Sequence, residues 1–363
     1  MQTKKPKNNL VFLLFSLCCA LSLFGLLMIY NASNFEAFRV FADKYHYVKS
    51  QAIWLAIGLA SLLLMASLPY RKLKLISFPL IVINCFLLVL VLVPGIGVKT
   101  LGARRWINLA GFSFQPSEFI KVTLYIYLAA WLQEKKSILA FLALVFFIVG
   151  LIALQPDMGT GIVIVITAFL VYFVAGGSVG KLIIFSFIGF ILGVLLIFSS
   201  TYRRNRVKTF FDPSQDPLGT SYHTRQILMA LGSGGLSGVG LGQSKQKYQY
   251  LPESTGDSIF AVIAEETGFF GSTILILLFL LLIYAGFKIA ENAKDQFGRL
   301  LACGLACWIG VQVFVNFAAM VCLLPLTGIP LPMVSYGGSS LIVSMISIGI
   351  LISIARDSNK LRK

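Results

Sequence analysis

Ten long apolar runs constrain this chain more than any other feature of its sequence. A helix needs roughly 17–25 apolar residues to cross about 30 Å of hydrocarbon. Hydrophobic residues make up 58% of the 363 residues and charged residues only 12%, which is far from the composition of a soluble domain. The sequence therefore predicts an all-α polytopic membrane protein with about ten transmembrane helices, forming a single membrane domain over residues 1–363. The runs lie near residues 10–30, 48–68, 74–93, 117–132, 138–154, 160–175, 182–199, 258–287, 300–322 and 334–355.

The basic residues between the runs predict the orientation of the chain. They occur in short clusters that follow every second span, as the positive-inside rule requires, and both termini are expected in the cytoplasm. The net charge of +16 indicates anionic partners. Short clusters between spans are a poor match to nucleic acid, so nucleic acid is not an expected partner. The clusters on the predicted inner side are Lys4, Lys5, Lys7; Arg71, Lys72, Lys74; Lys135, Lys136; Lys181; Lys288, Lys294, Arg299; and Arg356, Lys360, Arg362, Lys363.

Two predicted outer segments break this charge pattern. One carries Lys99, Arg104 and Arg105, and the other is the long loop at residues 200–257, between the seventh and eighth spans. Long loops are translocated largely regardless of charge, so a solvated loop is one interpretation. A phosphate-binding surface is the other, because the planar fork of arginine matches phosphate oxygens. An apolar patch at residues 224–231 predicts short amphipathic helices in the long loop, whose basic residues are Arg203, Arg204, Arg206, Lys208, Arg225, Lys245 and Lys247.

Charged residues also occur inside or at the ends of the predicted spans. Glu118 and Lys121 are three residues apart, close enough to pair on one helix face. Either they form an internal ion pair, or Lys121 faces a polar cavity and neutralises an anionic group there. Asp157 follows Gln155 and Pro156 at the outer end of another span, and it echoes the Gln-Pro-Ser-Glu sequence that ends at Glu118.

Four acids open the eighth predicted span: Glu253, Asp257, Glu265 and Glu266. A carboxylate at the centre of a spanning helix costs about 2.5–3.5 kcal/mol, so these residues require polar surroundings. A helix over residues 258–287 would be roughly 45 Å long, which exceeds the hydrocarbon thickness. We therefore expect its acidic start at the outer interface, with Asp257 at the mouth of a cavity and Glu265 about 12 Å deeper. An acid beneath an arginine-rich loop fits a transferase for a lipid-linked pyrophosphate.

Two other features exclude common chemistries. The sequence GSGGLSGVGLGQS at residues 232–244 lacks the Gly-Lys-Ser/Thr ending of a nucleotide-binding loop. We interpret it as a flexible loop that lets the backbone approach a lipid headgroup or substrate. His46 and His223 lack the sequence neighbours of a metal site or of a Ser-His-Asp arrangement, which disfavours zinc chemistry and nucleophilic hydrolysis.

Six motifs in order along the chain carry a family resemblance. They are GARRWI at 102–107, FQPSEFIKV at 114–122, QPDMGTG at 155–161, FFDPSQDPLGTSY at 210–222, ALGSGGLSGVGLGQSKQKYQYLPESTGDSIFAVIAEETGFFG at 230–271 and LPLTGIPLPMVSYGGSSL at 324–341. The chain resembles the SEDS family, the FtsW/RodA proteins, over nearly its whole length. GLLMIYNAS in the first span and GDSIFAVIAEETGF look more like the division branch, FtsW, than the elongation branch, RodA.

The resemblance implies a function. It implies an inverting peptidoglycan glycosyltransferase that polymerises lipid II, the undecaprenyl-pyrophosphate-linked disaccharide-pentapeptide, into β-1,4 glycan strands. The reaction would take place on the outer face of the bacterial cytoplasmic membrane, for septal wall synthesis in cell division; a RodA-like elongation role is the alternative within the enzyme class. The implied partners are a class B penicillin-binding protein and other divisome proteins.

The resemblance also implies roles for single residues. The family's catalytic acid falls on Asp257, as the base that deprotonates the acceptor sugar. A departure from the family is Tyr222-His223, where the family usually has Tyr-Gln, and the resemblance assigns His223 no role. No cofactor is implied, and whether a divalent cation, Mg²⁺ or Mn²⁺, assists the departure of pyrophosphate is left open. The expected substrate-binding residues are Arg105, Lys121, Arg203, Arg206 and Glu253, and the expected supporting residues of the polar cavity are Glu118, Asp157, Glu265 and Glu266.

Two other function classes remain open at this point. A ten-span protein with intramembrane charges could flip lipid II across the membrane instead of polymerising it. Inverted repeats and paired broken helices would favour such a transporter. The sequence shows no clear repeat, and its charges gather on the predicted outer side, which favours the enzyme. A division scaffold that recruits the transpeptidase without catalysis is the third class.

Overall fold

The computed structural model describes residues 7–100, 103–109, 112–134, 137–198, 201–212, 219, 221–248 and 250–360. Within these residues the chain is mostly helical, with one three-stranded antiparallel sheet. The elements are α1 (Lys7–Phe41), α2 (His46–Ser67), α3 (Lys72–Leu75), α4 (Ser77–Leu90), β1 (Gly97–Thr100), β2 (Ala103–Leu109), β3 (Phe112–Phe114), α5 (Pro116–Trp131), α6 (Ile138–Ala153), α7 (Met158–Val174), α8 (Val179–Phe198), α9 (Thr201–Phe211), α10 (Tyr222–Gly234), α11 (Ile259–Glu291), α12 (Gln296–Met320) and α13 (Gly338–Lys360).

Each predicted span coincides with helical structure, and the chain is a polytopic membrane protein. Among the described residues, α1, α2, α11, α12 and α13 are long and apolar enough to cross a membrane, and α4, α6, α7 and α8 are shorter apolar helices. The predicted third span is divided at Ile76 between α3 and α4. Large apolar side chains such as Phe12, Leu63, Phe187 and Leu277 are exposed, as expected for a surface that faces lipid.

The predicted fourth span has a different character, because α5 lies inside the helical assembly. It packs against α4, α7, α12 and α13, and it buries most of its residues. Pro116 occupies its first turn, where a missing backbone N–H costs nothing. An internal helix can carry charges that a lipid-facing helix cannot, since neighbouring helices supply their partners.

One set of polar contacts joins segments that the charge pattern assigns to the inner side. Asp295 caps α12 by accepting from the Gly298 amide at 2.6 Å, and it also accepts from the Tyr70 hydroxyl at 2.7 Å and Arg71 Nε at 2.9 Å. Burial would raise the pKa of Asp295, but these hydrogen bonds outweigh it and lower the pKa. Arg71 also pairs with Asp357 at 3.0 Å. Three predicted cytoplasmic segments therefore meet in one cluster.

A second set joins segments predicted on the outer side. The Gln115 amide donates to Ser339 Oγ at 3.1 Å, which connects the starts of α5 and α13. The Tyr336 amide donates to the Thr255 carbonyl at 2.8 Å, which connects the segment before α13 to the segment before α11. These contacts agree with the predicted assignment of segments to two sides.

The outer segment before α5 contains a small sheet that the sequence analysis did not predict. β1 pairs with β2 and β2 pairs with β3, both antiparallel, with Val98 opposite Trp106 and Ile107 opposite Phe114. The strands have four, seven and three residues, too short for their alternation to stand out between two apolar spans. The sheet carries Arg104 and Arg105 on its middle strand.

The eighth predicted span is not one continuous helix, which corrects the sequence-based prediction. Gly268 has φ 65° and ψ −163°, so α11 is interrupted there. The segment before the break, which holds Glu265 and Glu266, is buried, whereas Phe269 and Phe270 directly after it are each 61% exposed. The acids therefore lie in a short packed segment ahead of the apolar, lipid-facing part of α11.

Residues 234–240 of the glycine-rich segment are packed against this break, so this part of the segment is not the flexible loop that the sequence predicted. The Val239 amide donates to the Glu265 carbonyl at 3.0 Å, and the Phe269 amide donates to the Gly235 carbonyl at 2.9 Å. A Cβ on Gly238 would lie 2.1 Å from the Glu266 carbonyl oxygen. The glycines allow two backbones to approach and to satisfy the polar groups that the break releases.

Candidate functional site

Asp257 lies in a tight turn directly before α11, and its backbone is held on both sides. The Glu253 carbonyl accepts from the Gly256 amide at 3.0 Å and from the Ser258 amide at 3.2 Å. Asn316 of α12 donates from Nδ2 to the Asp257 carbonyl at 2.9 Å. Asp257 is half-buried. The turn thus fixes the backbone of the predicted catalytic acid and leaves part of the residue accessible.

Two side-chain amides on α12, which the sequence analysis missed, bind the loop before α13, and one of them also binds Asp257. Asn316 also donates to the Ile329 carbonyl at 2.8 Å, and Gln312 donates to the Pro330 carbonyl at 2.9 Å. A Cβ on Gly328 would lie 3.9 Å from Asp257 Oδ2, so the loop passes beside the carboxylate. The signal was present in the sequence, since two amides four residues apart in an apolar span are expected to have a function.

The Asp257 carboxylate is also connected to α10 through a serine. Ser258 Oγ lies 3.3 Å from Asp257 Oδ1, and His223 Nε2 of α10 lies 2.7 Å from the same Ser258 Oγ. Ser258 is fully buried. The resemblance assigned no role to His223. In the structure, His223 is linked to the predicted base, Asp257, through the single hydroxyl of Ser258.

A cavity of about 230 Å³ adjoins this histidine. It lies where α9, α10 and the segment after α12 meet. Burial raises the pKa of the Cys322 thiol on its wall, so this thiol stays neutral. Residues that line the cavity include Asn205, Thr209, His223, Thr224, Cys322 and Leu326.

Lys121 and Glu118 form an ion pair inside the helical assembly. Lys121 Nζ lies 2.8 Å from Glu118 Oε1, and the two side chains are 1% and 3% exposed. Lys121 also donates to Gln312 Oε1 at 2.8 Å and lies over the Trp308 ring at 5.2 Å. The structure thus forms the internal ion pair and gives Lys121 two further partners. Gln312 joins this pair to the loop beside Asp257.

Arg105 joins the middle strand of the sheet to the turn between α6 and α7. Its Nε donates to the Gln155 carbonyl at 3.0 Å, and its Nη2 donates to the Pro156 carbonyl. Asp157 then caps α7 by accepting from the Thr160 amide at 3.2 Å. The guanidinium fork therefore already uses two of its donors on protein carbonyls. Any phosphate would be bound by the donors that remain.

Ser117 links this turn to α5. Its hydroxyl lies 3.4 Å from Asp157 Oδ2, so the two Gln-Pro motifs noted in the sequence are neighbours in space. Ser117 is fully buried and Asp157 is 7% exposed. Asp157 thus connects the start of α7 with the start of α5.

Glu265 and Glu266 have polar partners in the glycine-rich segment and its continuation. Glu265 accepts from Ser244 Oγ at 2.5 Å and from the Lys245 amide at 3.0 Å. Glu266 pairs with Lys247 Nζ at 3.3 Å, with both side chains buried. Asn31 of α1 donates to the second Glu266 oxygen at 3.5 Å. A carboxylate in the membrane is costly unless it has polar partners, and these contacts supply such partners to both glutamates.

The structure gives fewer contacts for the other predicted substrate-binding residues, Glu253, Arg203 and Arg206. Glu253 has a positive φ of 50° and is exposed as a whole residue. Partial desolvation of its carboxyl group and the nearby Glu36 carboxylate raise its pKa. Arg203 and Arg206 belong to α9, but their side chains lie outside the part of the chain that the structure describes.

Among the described residues, no three His, Cys, Asp or Glu side chains gather as they would around a metal ion. Mg²⁺ is commonly held by one or two carboxylates together with substrate phosphates. The described residues thus do not build a cation site of their own.

Comparison with known proteins decides the family. The FtsW/RodA/SpoVE family model, described as "Cell cycle protein", matches residues 10–360. The chain belongs to this family. The chain is 40% identical over 366 residues to "Stage V sporulation protein E" of Bacillus subtilis strain 168, covering 99% of this chain and 100% of that protein. It is 38% identical over 355 residues to "Probable peptidoglycan glycosyltransferase FtsW" of Trichlorobacter lovleyi, covering 96% of this chain and 93% of the relative.

Solved structures of the family share the fold. A chain of the structure described as "Structural coordination of polymerization and crosslinking by a peptidoglycan synthase complex" matches with a TM-score of 0.79 and 30% identity, over 96% of this chain and 98% of that one. The rod shape determining protein RodA of Thermus thermophilus matches with a TM-score of 0.69 and 30% identity, over 96% of this chain and 97% of RodA. Family membership and the polytopic helical fold predicted from the sequence are therefore confirmed.

Proposed function

We propose that this chain is a peptidoglycan glycosyltransferase that polymerises lipid II into β-1,4 glycan strands, with Asp257 as the general base. The observation that carries the proposal is the position of Asp257, at an accessible turn that Asn316 and the Glu253 carbonyl hold rigidly. Support comes from relatives that are named peptidoglycan glycosyltransferases and that match almost the whole chain. A general base must be held within hydrogen-bond reach of the proton that it removes, and a fixed backbone meets that requirement.

The reaction requires a base but no enzyme nucleophile. Asp257 removes the proton from the 4-hydroxyl of the acceptor sugar, and the acceptor oxygen bonds to the anomeric carbon of the growing strand. The bond from that carbon to the pyrophosphate oxygen breaks, and polyprenyl pyrophosphate leaves. A single displacement inverts the anomeric centre, which converts the α-linked donor into a β-1,4 linkage. The mechanism routes no step through a cation.

Basic residues on the outer side would stabilise the departing pyrophosphate. Arg105 keeps donors beyond the two that bind Gln155 and Pro156. Arg203 and Arg206 belong to α9, and other residues of α9 line the cavity beside His223, which supports a role for this helix near the substrate. Lys121 would act indirectly, since its ion pair with Glu118 is buried. Glu253 would contact substrate from the turn that holds Asp257.

The site is proposed to face the outside of the bacterial cytoplasmic membrane, with both termini in the cytoplasm. A class B penicillin-binding protein is the proposed partner. The solved peptidoglycan synthase complex, whose description names both polymerization and crosslinking, supports a complex of a polymerase with a crosslinking enzyme. The relatives named FtsW favour action at the division septum with other divisome proteins, over a RodA-like role in elongation.

The deciding experiment incubates purified full-length protein and its partner transpeptidase with labelled lipid II and separates the glycan strands by length. We expect strands that grow with time and disappear when the SEDS protein is omitted. A parallel assay in proteoliposomes measures translocation of lipid II. Translocation without strand formation would favour the flippase, and neither activity with intact partner binding would favour the scaffold.

A further inference from the structure

We propose that His223 is a positioning residue for Asp257, acting through the Ser258 hydroxyl, and that its protonation extends the activity of the enzyme toward lower pH. This inference rests on the proposed function, because it assigns the protonation state of the base in that reaction. The contacts that carry it are the 2.7 Å approach of His223 Nε2 to Ser258 Oγ and the 3.3 Å approach of Ser258 Oγ to Asp257 Oδ1.

The hydroxyl proton of Ser258 fixes the direction of the hydrogen bonds. A serine hydroxyl has one proton to donate, and a carboxylate can only accept. When Asp257 is ionised, Ser258 therefore donates to Asp257 Oδ1, and His223 must donate its Nε2 proton to Ser258. Both the neutral Nε2–H tautomer and the imidazolium can do so. The histidine thus orients the Ser258 hydroxyl, and that hydroxyl donates to Asp257 Oδ1 and fixes the orientation of the carboxylate.

Burial of Ser258 and the packing of α10 against α11 make this arrangement rigid. Ser258 is fully buried and its amide is bound by the Glu253 carbonyl, so its side chain has little freedom to turn away. His223 lies in the first turn of α10, and α10 packs along α11. A cavity of about 230 Å³ borders the imidazole, which gives the ring a path for proton exchange. The two helices therefore hold the imidazole and the carboxylate at opposite sides of one hydroxyl.

The charge of the imidazole then affects the base. Imidazole is the side chain that ordinarily changes charge between about pH 5 and 8. An imidazolium one hydroxyl away from Asp257 favours the carboxylate over the carboxylic acid, so the base remains ionised at lower pH. Glutamine in place of His223 can donate the same hydrogen bond from its amide but carries no charge at any pH.

The elements that pack around this histidine also carry other titratable and charged groups. Burial keeps the Cys322 thiol neutral, so that group does not compete across the working pH range. The basic groups of α9 and α10 are the same in every variant, so a difference between two pH profiles does not come from them. On the elements that pack around His223 these groups are Asp257 and Cys322, with Arg203, Arg204, Arg206, Lys208 and Asp212 on or directly after α9 and Tyr222 and Arg225 on α10 itself.

The test measures strand formation from lipid II between about pH 3.5 and 8, a range that includes the ordinary pKa values of a carboxyl group and of imidazole, with the full-length protein and its partner. For His223→Gln we expect the acid limb of kcat/KM to move to higher pH by about half to one unit, which is roughly a three- to tenfold loss at pH values below the limb. In a Ser258→Ala background, which removes the connecting hydroxyl, His223→Gln should no longer move the limb. His46→Gln is the matched control, since His46 stacks on Phe41 at 3.8 Å and belongs to α2.

The outcomes separate this inference from the proposed function. Coincident pH profiles for the wild type and His223→Gln, with an inactive Asp257→Asn, would overturn the role of His223 alone. A fully active Asp257→Asn would overturn the proposed base and the inference with it. A shift of equal size for His46→Gln, or a shift that persists without the Ser258 hydroxyl, would also overturn the proposed path. Thermal unfolding of each variant in detergent distinguishes a changed base from an unfolded protein.

Discussion

Single charged residues inside the membrane region are explained by their partners. The Lys121 and Glu118 side chains are 1% and 3% exposed, and Gln312 and Trp308 surround the lysine. A buried pair contributes little net stability, because desolvation offsets the attraction, but the loss of one partner leaves an uncompensated charge. The packing of α5 among its neighbouring helices therefore depends on the presence of both residues.

Replacing Lys121 with Met should therefore destabilise the protein by about 3–5 kcal/mol, because Glu118 is left charged and buried. The double variant Glu118→Gln with Lys121→Met removes both charges and should recover most of the folded yield and thermal stability. Thermal unfolding in detergent checks both expectations. Strand formation by the recovered double variant then tests the second interpretation of Lys121. Normal activity would show that its charge serves the fold, and lost activity in a stable protein would show that it serves the substrate.

At the level of elements, the glycine-rich segment and the interrupted α11 form one unit. The segment donates to the carbonyls of Glu265 and Glu266 and accepts from the amides just after Gly268. Each backbone therefore provides hydrogen-bond partners for the polar groups of the other. The carboxylates of the two glutamates meet Ser244, Lys245 and Lys247 in the same unit. Because the packed segment lies between α10 and Asp257 in sequence, it fixes the position of the turn that carries the predicted base.

Gly238→Ala tests this unit. A Cβ at Gly238 would lie 2.1 Å from the Glu266 carbonyl oxygen, so α11 and the segment would have to separate. Gly242→Ala is the matched control, because Gly242 has almost the same φ, 80° against 82°, and nothing lies within 4 Å of its Cβ position. Both substitutions carry the roughly 1–2 kcal/mol strain of a left-handed residue. We expect Gly238→Ala to lower the unfolding temperature well below that of Gly242→Ala, and equal values would contradict the packed arrangement.

The sequence predicted the helices because their signal is strong, and it missed features that depend on contacts between distant segments. A run such as residues 300–322 identifies a span by itself, and α12 covers Gln296–Met320. The break at Gly268 was missed because a glycine within an apolar run fits a helix, and only the neighbouring segment makes the break favourable. The same reason hid the roles of Asn316 and His223, whose partners lie 59 and 35 residues away. The acids of α11 were predictable as a group, but their partners were not.

At the scale of the whole molecule, the contacts between loops divide the chain into two sides. Arg71, Asp295 and Asp357 meet on one side, and Gln115 meets Ser339 on the other. The positive-inside pattern assigns the first side to the cytoplasm. Asp257 belongs to the second side, through the contact of Thr255 with Tyr336.

Cysteine labelling of intact cells tests this orientation. With the six native cysteines replaced, a single cysteine at Gly242, in the segment before Asp257, should react with a membrane-impermeant maleimide. A cysteine at Asn292, in the loop after α11, should react only after the membrane is permeabilised and serves as the control. The opposite pattern would place Asp257 in the cytoplasm, where the proposed reaction does not occur.

The most direct test of the account is strand formation by Asp257→Asn. Asparagine keeps the size of the side chain and can still accept from Ser258, but it cannot remove a proton. We expect polymerisation to fall by roughly 10²–10⁴-fold, as for the loss of a general base, while folded yield, partner binding and lipid II binding are retained. Glu265→Gln and Glu266→Gln, measured beside it, should lower folded yield, because each loses charged contacts in the packed unit. Polymerisation by Asp257→Asn near the wild-type rate would contradict the assignment of Asp257 as the base.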